Sequence, residues 1–181
     1  MEVEARVKVE SLEDIKKKLV DMGAEFFEPK KQNDAVFKRK DLISKVAKPG
    51  DFILRIRQST KNILTFKALT DRAGVWIEHE TEIKDSEQLR SILEKTGFIE
   101  QVSMHKTRIP GTLGDFELCL DDIEELGTYI EIALDSEDGN DAKEKIIGLL
   151  NKLGFAEKDI VHKGYVAMLF ERLGVVMKGT G

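Results

Sequence analysis

Ionised and apolar side chains alternate in one segment after another of this chain, and this alternation restricts the fold more than any other feature of the sequence. Side chains of an extended strand point to opposite faces in turn, so the pattern predicts strands with one charged and one apolar face. At least six later segments repeat it with charges of mixed sign. In residues 2–9 the ionised side chains are Glu2, Glu4, Arg6 and Lys8, and the apolar ones are Val3, Ala5, Val7 and Val9.

Helical spacing of apolar residues predicts three amphipathic helices, over about 12–22, 86–97 and 140–154, and a short last helix over 164–173. Their apolar sides need an apolar partner, which only the valine, leucine and isoleucine faces of the strands can provide. The charged faces are therefore left on the other side of an antiparallel sheet. That side either meets bulk water or lines a cavity inside a curled sheet.

The signs of the charges on these faces come in blocks, whereas an ordinary water-facing surface would mix Ser, Thr, Asn and Gln among them. Blocks of one sign repel each other unless something bridges them. Phosphate oxygens match arginine and lysine, and Mg²⁺ prefers carboxylates and bridges to phosphates, so a polyphosphate with divalent cations would satisfy both signs. The acidic blocks are Glu2 and Glu4, Glu78, Glu80 and Glu82, and Asp121 and Glu131; the basic blocks are Arg55, Arg57 and Lys67, and Lys106 and Arg108.

Composition excludes several classes of protein. The 181 residues include 29 basic and 34 acidic residues, a net charge of −5, which argues against a main task of coating nucleic acid. No stretch approaches the about 20 apolar residues of a membrane span, so we expect no membrane partner and a cytoplasmic location. Cys119 is the single cysteine, which excludes an internal disulfide and a cysteine-based metal site.

The order of the motifs resembles the CYTH superfamily, also called triphosphate tunnel enzymes. The opening Glu2-Val3-Glu4-Ala5-Arg6 is similar to the family signature Glu-x-Glu-x-Lys, with Arg in place of Lys. Val36, where the family often has an aromatic residue, and Ala133, where many members have another acid, depart from the pattern. The further matches are Gln32-Asn33-Asp34, Leu54-Arg55-Ile56-Arg57, Thr65-Phe66-Lys67, Glu80 with Glu82, Lys106-Thr107-Arg108, Asp121, Leu126-Gly127, Glu131-Ile132, and Tyr165 with Leu169.

The resemblance implies an α+β fold: a closed or nearly closed antiparallel β-barrel of about eight strands, forming a tunnel with helices packed outside. It implies a single domain over residues 1–173, with residues 174–181 as a flexible tail. The cofactor would be Mg²⁺ or Mn²⁺, and the partner a small-molecule triphosphate: ATP, tripolyphosphate or thiamine triphosphate. A homodimer is an open alternative.

Three functions stay open at this point. The first is a class IV adenylyl cyclase, which converts ATP to cyclic AMP and pyrophosphate; its version of the later strand resembles Glu131-Ile132-Ala133. The second is a triphosphatase acting on tripolyphosphate, thiamine triphosphate or a nucleoside triphosphate. The third is a polyphosphate or nucleotide binder without catalysis, for which Arg6 is the argument.

The resemblance also assigns roles to individual side chains. Glu2, Glu4 and Arg6 are the expected catalytic residues. The expected triphosphate contacts are Lys8, Arg55, Arg57, Lys67, Lys106 and Arg108; the expected metal ligands are Glu2, Glu4, Asp121 and Glu131; and Glu80 and Glu82 are expected to bind metal or to support its ligands.

Two local predictions concern segments next to these residues. Residues 38–51, rich in lysine and containing Pro49-Gly50, read as an exposed mobile loop, either solvated or acting as a lid over a phosphate site. A strand is expected to end at Lys106-Thr107-Arg108, before Pro110-Gly111.

Overall fold

A computed structural model describes residues 2–43, 48–71 and 76–174, with the backbone alone for Glu2 and Trp76. No helix in this described part of the chain is long and apolar enough to cross a membrane. The four helices are α1 (Leu12–Asp21), α2 (Ser86–Lys95), α3 (Gly139–Leu153) and α4 (Tyr165–Arg172). The nine strands are β1 (Glu2–Lys8), β2 (Glu25–Phe26), β3 (Lys30–Arg39), β4 (Phe52–Gln58), β5 (Asn62–Leu69), β6 (Trp76–Ile83), β7 (Phe98–Leu113), β8 (Phe116–Ile123) and β9 (Gly127–Asp135).

The strands form one antiparallel sheet in the order β1-β9-β8-β7-β3-β4-β5-β6, with β2 paired to β7. This confirms the α+β class, with nine strands in the described residues instead of about eight. In the described residues no hydrogen-bond ladder joins β1 to β6, so closure of the sheet into a barrel stays a prediction. The chain divides into two compact units, residues 1–30 with 106–164 and residues 31–105 with 165–181.

The first unit buries the apolar faces of its strands under α1 and α3. Val7 of β1, Leu120 of β8 and Ile130 of β9 belong to the same buried cluster as Leu19 of α1 and Ile146 of α3. Since alternate residues of a strand face opposite sides, this packing leaves the ionised residues of β1, β8 and β9 on the face away from these helices.

Local sequence explains where the first-unit helices begin and end. The Ser11 hydroxyl accepts a hydrogen bond from the Asp14 amide and caps α1. Gly154 closes α3 with φ +99°, a left-handed conformation that glycine adopts without strain. Both termini lie within one or two residues of the positions expected from the sequence.

The second unit has the same layering with different elements. Ile56 of β4, Phe37 of β3 and Leu93 of α2 form its buried cluster. The register places Asp34 opposite Arg57 and Val36 opposite Arg55, and continues on the other side of β4 with Arg55 opposite Thr65. The charged positions of β3, β4, β5 and β6 therefore share the face away from α2.

One local prediction was wrong in part and another was wrong. Strand β3 continues through Lys38 to Arg39, and a 3₁₀ helix (Lys40–Leu42) follows, so residues 38–42 are not an irregular loop; residues 44–47 lie outside the described part. Strand β7 does not end at Arg108 but runs through Pro110 to Leu113.

Pro110 and Gly111 are tolerated in β7 because of the way β2 lies beside them. The Pro110 carbonyl accepts a hydrogen bond from the Phe27 amide, so the residue uses the one backbone polar group that proline has. A Cβ at Gly111 would lie 2.5 Å from Cδ1 of Phe26 and 2.7 Å from the Glu25 carbonyl oxygen. Glycine at this position therefore allows β2 to approach closely.

Candidate functional site

The charged face of the first unit carries a cluster of ion pairs, here called the first cluster. Strand register brings its members together: Arg6 of β1 lies opposite Glu131 of β9, and Arg108 of β7 lies opposite Asp121 of β8. The first cluster consists of Glu4, Arg6, Lys106, Arg108, Asp121 and Glu131.

Asp121 and Arg108 form a two-pronged ion pair in the interior of the first cluster. Nε and Nη2 of Arg108 donate to Oδ1 and Oδ2 of Asp121 at 2.7 and 2.6 Å. The Asp121 side chain has no exposed surface, and the ammonium of Lys106, itself 3% exposed, lies 4.0 Å from it. Burial alone would lower the pKa of Arg108, but the hydrogen bonds and charge of Asp121, with the charge of Glu131, raise it.

Glu131 is held between two arginines. Its Oε2 accepts hydrogen bonds from Nε and Nη2 of Arg6 at 2.9 and 2.5 Å, and its Oε1 accepts one from Arg108 at 3.0 Å. Burial raises the pKa of Glu131, but the charges of Arg108 and Arg6 outweigh burial, so the pKa is lowered. The carboxylate therefore stays ionised throughout the neutral range.

Arg6 joins three parts of the first unit. Besides Glu131, its guanidinium contacts Oε1 of Glu4 at 3.3 Å and donates to the Lys163 carbonyl oxygen at 3.2 Å. The Arg6 side chain is 11% exposed, whereas that of Glu4 is 55% exposed. An arginine stays protonated in proteins, so Arg6 orients carboxylates and does not accept a proton.

Two further residues of the first unit were predicted as site residues: Lys8 lies at the edge of the first cluster, and the side chain of Glu2 is outside the described atoms. Lys8 is exposed, with Nζ 5.8 Å from the centre of the Tyr129 ring. The Glu2 side chain lies outside the described atoms, although its backbone is part of β1. Their roles in binding triphosphate and metal stay predictions.

A second cluster lies on the charged face of the second unit. Asp34, 2% exposed, accepts hydrogen bonds from Nε and Nη2 of Arg57 at 2.7 Å each. This pair has the same geometry as Arg108 with Asp121. The second cluster consists of Asp34, Arg55, Arg57, Thr65, Lys67, Glu78, Glu80 and Glu82.

Arg55 is much less well matched than Arg57. Its ion-pair distances are 3.2 Å to Glu80, 3.7 Å to Glu78 and 3.9 Å to Asp34. Its Nε is buried and has no hydrogen-bond partner in the described structure. Burial, and then the charge of Arg57, lower the pKa of Arg55 despite the acidic neighbours.

Strand β6 supplies the acidic side of the second cluster. Glu78 lies 3.3 Å from the ammonium of Lys67. Glu80 accepts a hydrogen bond at 2.8 Å from the hydroxyl of Thr65, which in turn accepts one from Arg55 at 3.1 Å. Glu82 is 57% exposed and pairs with Lys61 at 2.7 Å, farther along the same strands.

Sequence reasoning gave no individual role to three members of the second cluster, Asp34, Thr65 and Glu78, although it placed Glu78 in an acidic block and the other two in matching motifs. Strand phase could have found them. Asp34 stands two residues before Val36 and therefore shares the face of β3 that meets Arg55 and Arg57, while Glu78 shares a face with the predicted Glu80 and Glu82. A single acid or threonine within a mixed strand gives no warning that it will be buried.

Each cluster contains groups whose chemistry suits a polyanion or a divalent cation. Arginine and lysine side chains on one sheet face present several donors to phosphate oxygens. Carboxylate oxygens are the donors that Mg²⁺ and Mn²⁺ prefer, and Glu4 and Glu131 offer them close together through their shared contact with Arg6. Both oxygens of Asp121 and both oxygens of Glu131 accept hydrogen bonds from arginines, so either carboxylate would hold a metal only by giving up such a contact. The metal role of Asp121 stays a prediction.

Comparison with known proteins gives consistent results. A family model described as "CYTH domain" matches residues 1–165. A Methanocaldococcus jannaschii protein named "Putative adenylate cyclase" is 29% identical over 174 residues, covering 93% of this chain and 98% of that protein. A solved Pyrococcus horikoshii protein is 28% identical, with a TM-score of 0.75 over 92% of this chain and 98% of the other.

A more distant solved structure shares the fold alone. The Hippeastrum protein described as a "Putative adenylyl cyclase" with a dominant triphosphatase activity is 19% identical, with a TM-score of 0.63 over 98% of each chain. The family model, by contrast, covers nearly the whole of the present sequence and confirms the resemblance found from its motifs. This protein belongs to the CYTH domain family.

Proposed function

We propose that this protein is a divalent-metal-dependent enzyme that acts on a triphosphate, and that the first candidate reaction is conversion of ATP to cyclic AMP and pyrophosphate. The observation that supports the proposal most directly is the unpaired Nε of Arg55. Its buried Nε lacks a partner, although three carboxylates lie within 3.9 Å of its guanidinium. Leaving a buried donor unpaired costs about 1–3 kcal/mol, and a phosphate oxygen would satisfy it.

The neighbours of Arg55 extend this anion site. Lys67 lies on the same face and pairs with the half-exposed Glu78 at 3.3 Å, a contact that a phosphate oxygen can replace. Arg57 is held by Asp34 through two of its nitrogens and contributes mainly fixed positive charge. We therefore assign Arg55 and Lys67 to direct phosphate contact and Arg57 to the surrounding field.

The first unit would supply the metal site. Glu4 and Glu131, together with Glu2 on the same strand, would hold Mg²⁺ or Mn²⁺, which when bound neutralises charge on the phosphates. Arg108 and Arg6 keep Glu131 ionised, and the Arg6 guanidinium contacts both Glu131 and Glu4. Lys106 and Arg108 add positive charge in a buried setting, where electrostatic interactions are stronger than in water.

In the cyclase reaction the ribose hydroxyl oxygen forms a bond to the α-phosphorus, the bond from that phosphorus to the pyrophosphate oxygen breaks, and the hydroxyl proton is released. The residues named above hold the phosphates in line and stabilise the leaving pyrophosphate. The second candidate is a triphosphatase, in which water attacks the terminal phosphate. The dominant triphosphatase activity of the Hippeastrum protein, on the same fold, favours keeping this candidate.

The proposal includes two structural expectations taken from the family. Residues 1–173 act as one domain, and its sheet closes into a tunnel. A crystal structure would test both, because a closed sheet has no unpaired edge strand. An open sheet would contradict the tunnel.

Product identification tests the reaction. The protein is incubated with ATP, tripolyphosphate or thiamine triphosphate, each with Mg²⁺ or Mn²⁺, and the products are separated by chromatography. Cyclic AMP and pyrophosphate from ATP support the cyclase; ADP and phosphate support the triphosphatase. If the protein binds all three ligands but converts none of them under any of these conditions, only the third function remains, that of a binder without catalysis.

Glu4→Gln tests the metal assignment. We expect this variant to keep its fold and much of its affinity for tripolyphosphate but to lose turnover, because the amide keeps the shape and removes the charge that a hard cation prefers. Thermal unfolding with and without Mg²⁺ is the second measurement. Full stabilisation by Mg²⁺ in Glu4→Gln would contradict Glu4 as a ligand.

A further inference from the structure

The second cluster has a neighbour that the proposed function does not use, Gln32 of β3. Gln32 precedes Asp34 by two residues and therefore lies on the same face of the strand. Its side-chain Oε1 is buried and accepts no hydrogen bond in the described structure. The only other such atom in residues 2–43, 48–71 and 76–174 is Nε of Arg55, on the same sheet face.

The two unpaired atoms differ in chemistry. Nε of Arg55 is a donor and suits a phosphate oxygen. Oε1 of Gln32 is an acceptor, and phosphate oxygens, which are acceptors as well, cannot satisfy it. A ligand that consists of phosphate alone would leave this buried oxygen without a partner, which is unfavourable.

Register also separates the two atoms. Arg55 lies opposite Val36, four residues along β3 from Gln32, a span of about 13 Å at the rise of a strand. The Asp34–Arg57 pair occupies the position between them. A ligand that reaches from Arg55 to Gln32 therefore extends past its phosphates toward the turn between β4 and β5.

We infer that Gln32 is a specificity-determining residue whose amide oxygen accepts a hydrogen bond from an N–H or O–H group on the organic part of the triphosphate. This inference rests on the proposed function and narrows it: the substrate is an organic triphosphate with a donor group, such as a nucleoside triphosphate, and not inorganic tripolyphosphate. Phosphate affinity comes from the arginines and lysines, and selectivity comes from Gln32.

The test compares Gln32→Met with wild type in binding ATP and tripolyphosphate, by calorimetry in EDTA so that no metal-dependent turnover intervenes. We expect the dissociation constant for ATP to rise roughly 3- to 10-fold, the loss of one hydrogen bond, and that for tripolyphosphate to stay unchanged. Gln32→Ala should show the same selective loss. The matched control is Asn33→Leu, at the exposed neighbouring position on the opposite face of β3.

Thermal unfolding without ligand separates this role from a structural one. Removing a buried acceptor that has no partner should leave the melting temperature of Gln32→Met equal to or above that of wild type, whereas loss of a structural hydrogen bond would lower it. Two ATP analogues then identify the donor group: ITP lacks the amino group of the base, and 2′-deoxy-ATP lacks one ribose hydroxyl. The analogue that lacks the donor should bind wild type more weakly than ATP does, but should bind Gln32→Met as well as ATP does.

Three results would overturn the inference. Equal weakening of ATP and tripolyphosphate would make Gln32 part of the general framework, and unchanged binding of both would remove it from the site; in either case the proposed function stands. If wild type bound neither ligand, the proposed function and this inference would both be wrong.

Discussion

The two clusters are built from the same residue types, yet they use their hydrogen-bonding capacity differently. In the first cluster Arg108 and Arg6 bind Asp121 and Glu131 at 2.5–3.0 Å. In the second cluster Asp34 with Arg57 reproduces that arrangement, but Arg55 next to it donates only from Nη2, at 3.1 Å to Thr65 and 3.2 Å to Glu80, and its Nε is unpaired. The first cluster is therefore preorganised by its own ion pairs, whereas the second leaves one buried donor, Nε of Arg55, unpaired.

Removal of the Asp121 side chain should cause the largest loss of stability, because it breaks the buried ion pairs of the first cluster. Asp121→Ala leaves the partly buried Arg108 and the buried Lys106 without their shared counter-charge, and loss of one partner from a buried ion pair costs about 3–5 kcal/mol. Urea denaturation measures the free energy of unfolding. Asp122→Ala, at the exposed next position, is the control and should stay within about 0.5 kcal/mol of wild type; equal values for both variants would contradict the buried pair.

Arg55→Met and Arg108→Met should separate ligand binding from stability. Arg55→Met should weaken tripolyphosphate binding by about 1.5–3 kcal/mol, the range for hydrogen bonds to charged groups, with a smaller loss of stability because Asp34 keeps Arg57. Arg108→Met should lose more stability than Arg55→Met. Calorimetric binding and urea denaturation of both variants are the measurements, and a larger stability loss in Arg55→Met would reverse the comparison.

The ion pairs of Glu131 with Arg6 and Arg108 should make the stability of the folded protein sensitive to acid. Its pKa is lowered in the folded protein, so its contribution is present above the unfolded value near 4.5 and is lost as the pH falls through the folded pKa. We expect a shallower decline of stability below about pH 4.5 in Glu131→Gln than in wild type. Glu117→Gln makes the same charge change at an exposed site on β8; if Glu131→Gln declined as steeply as this control, the pairing with Arg6 and Arg108 would contribute nothing.

The smallest expected effect concerns the reactivity of the Cys119 thiol. Cys119 of β8 lies opposite Glu131 of β9, which is a member of the first cluster. Burial raises the pKa of its thiol to about 11, so little thiolate forms at pH 8 and a disulfide reagent should react slowly with the native protein. Reaction in urea gives the reference rate for the accessible thiol. Native protein that reacts at the reference rate would show that the first cluster is open to solvent.

Strand phase predicted most of this arrangement from the sequence. The charged and apolar faces of β1, β4 and β9 and the amphipathic helices α1 to α3 follow from spacing alone, since period 2 and period 3.6 are properties of the backbone. Spacing does not predict which ion pairs form. Nothing in the sequence near Asp34 shows that Arg57 would bind both oxygens of Asp34 and leave Nε of Arg55 without a partner. The continuation of β7 through Pro110 also depends on a tertiary contact, the approach of β2 to Gly111.

The ion pair between Arg6 and Glu131 also has a consequence during protein synthesis. The two residues are 125 positions apart, and β1 pairs with no strand other than β9 in the described structure. At a translation rate of about 5–20 residues per second, the partner of β1 follows it by roughly 6–25 s. Through that interval β1 is an unpaired strand with an apolar face, the kind of edge that other chains can join. Its four alternating charges would then serve the nascent chain by keeping it from aggregating before β9 is made.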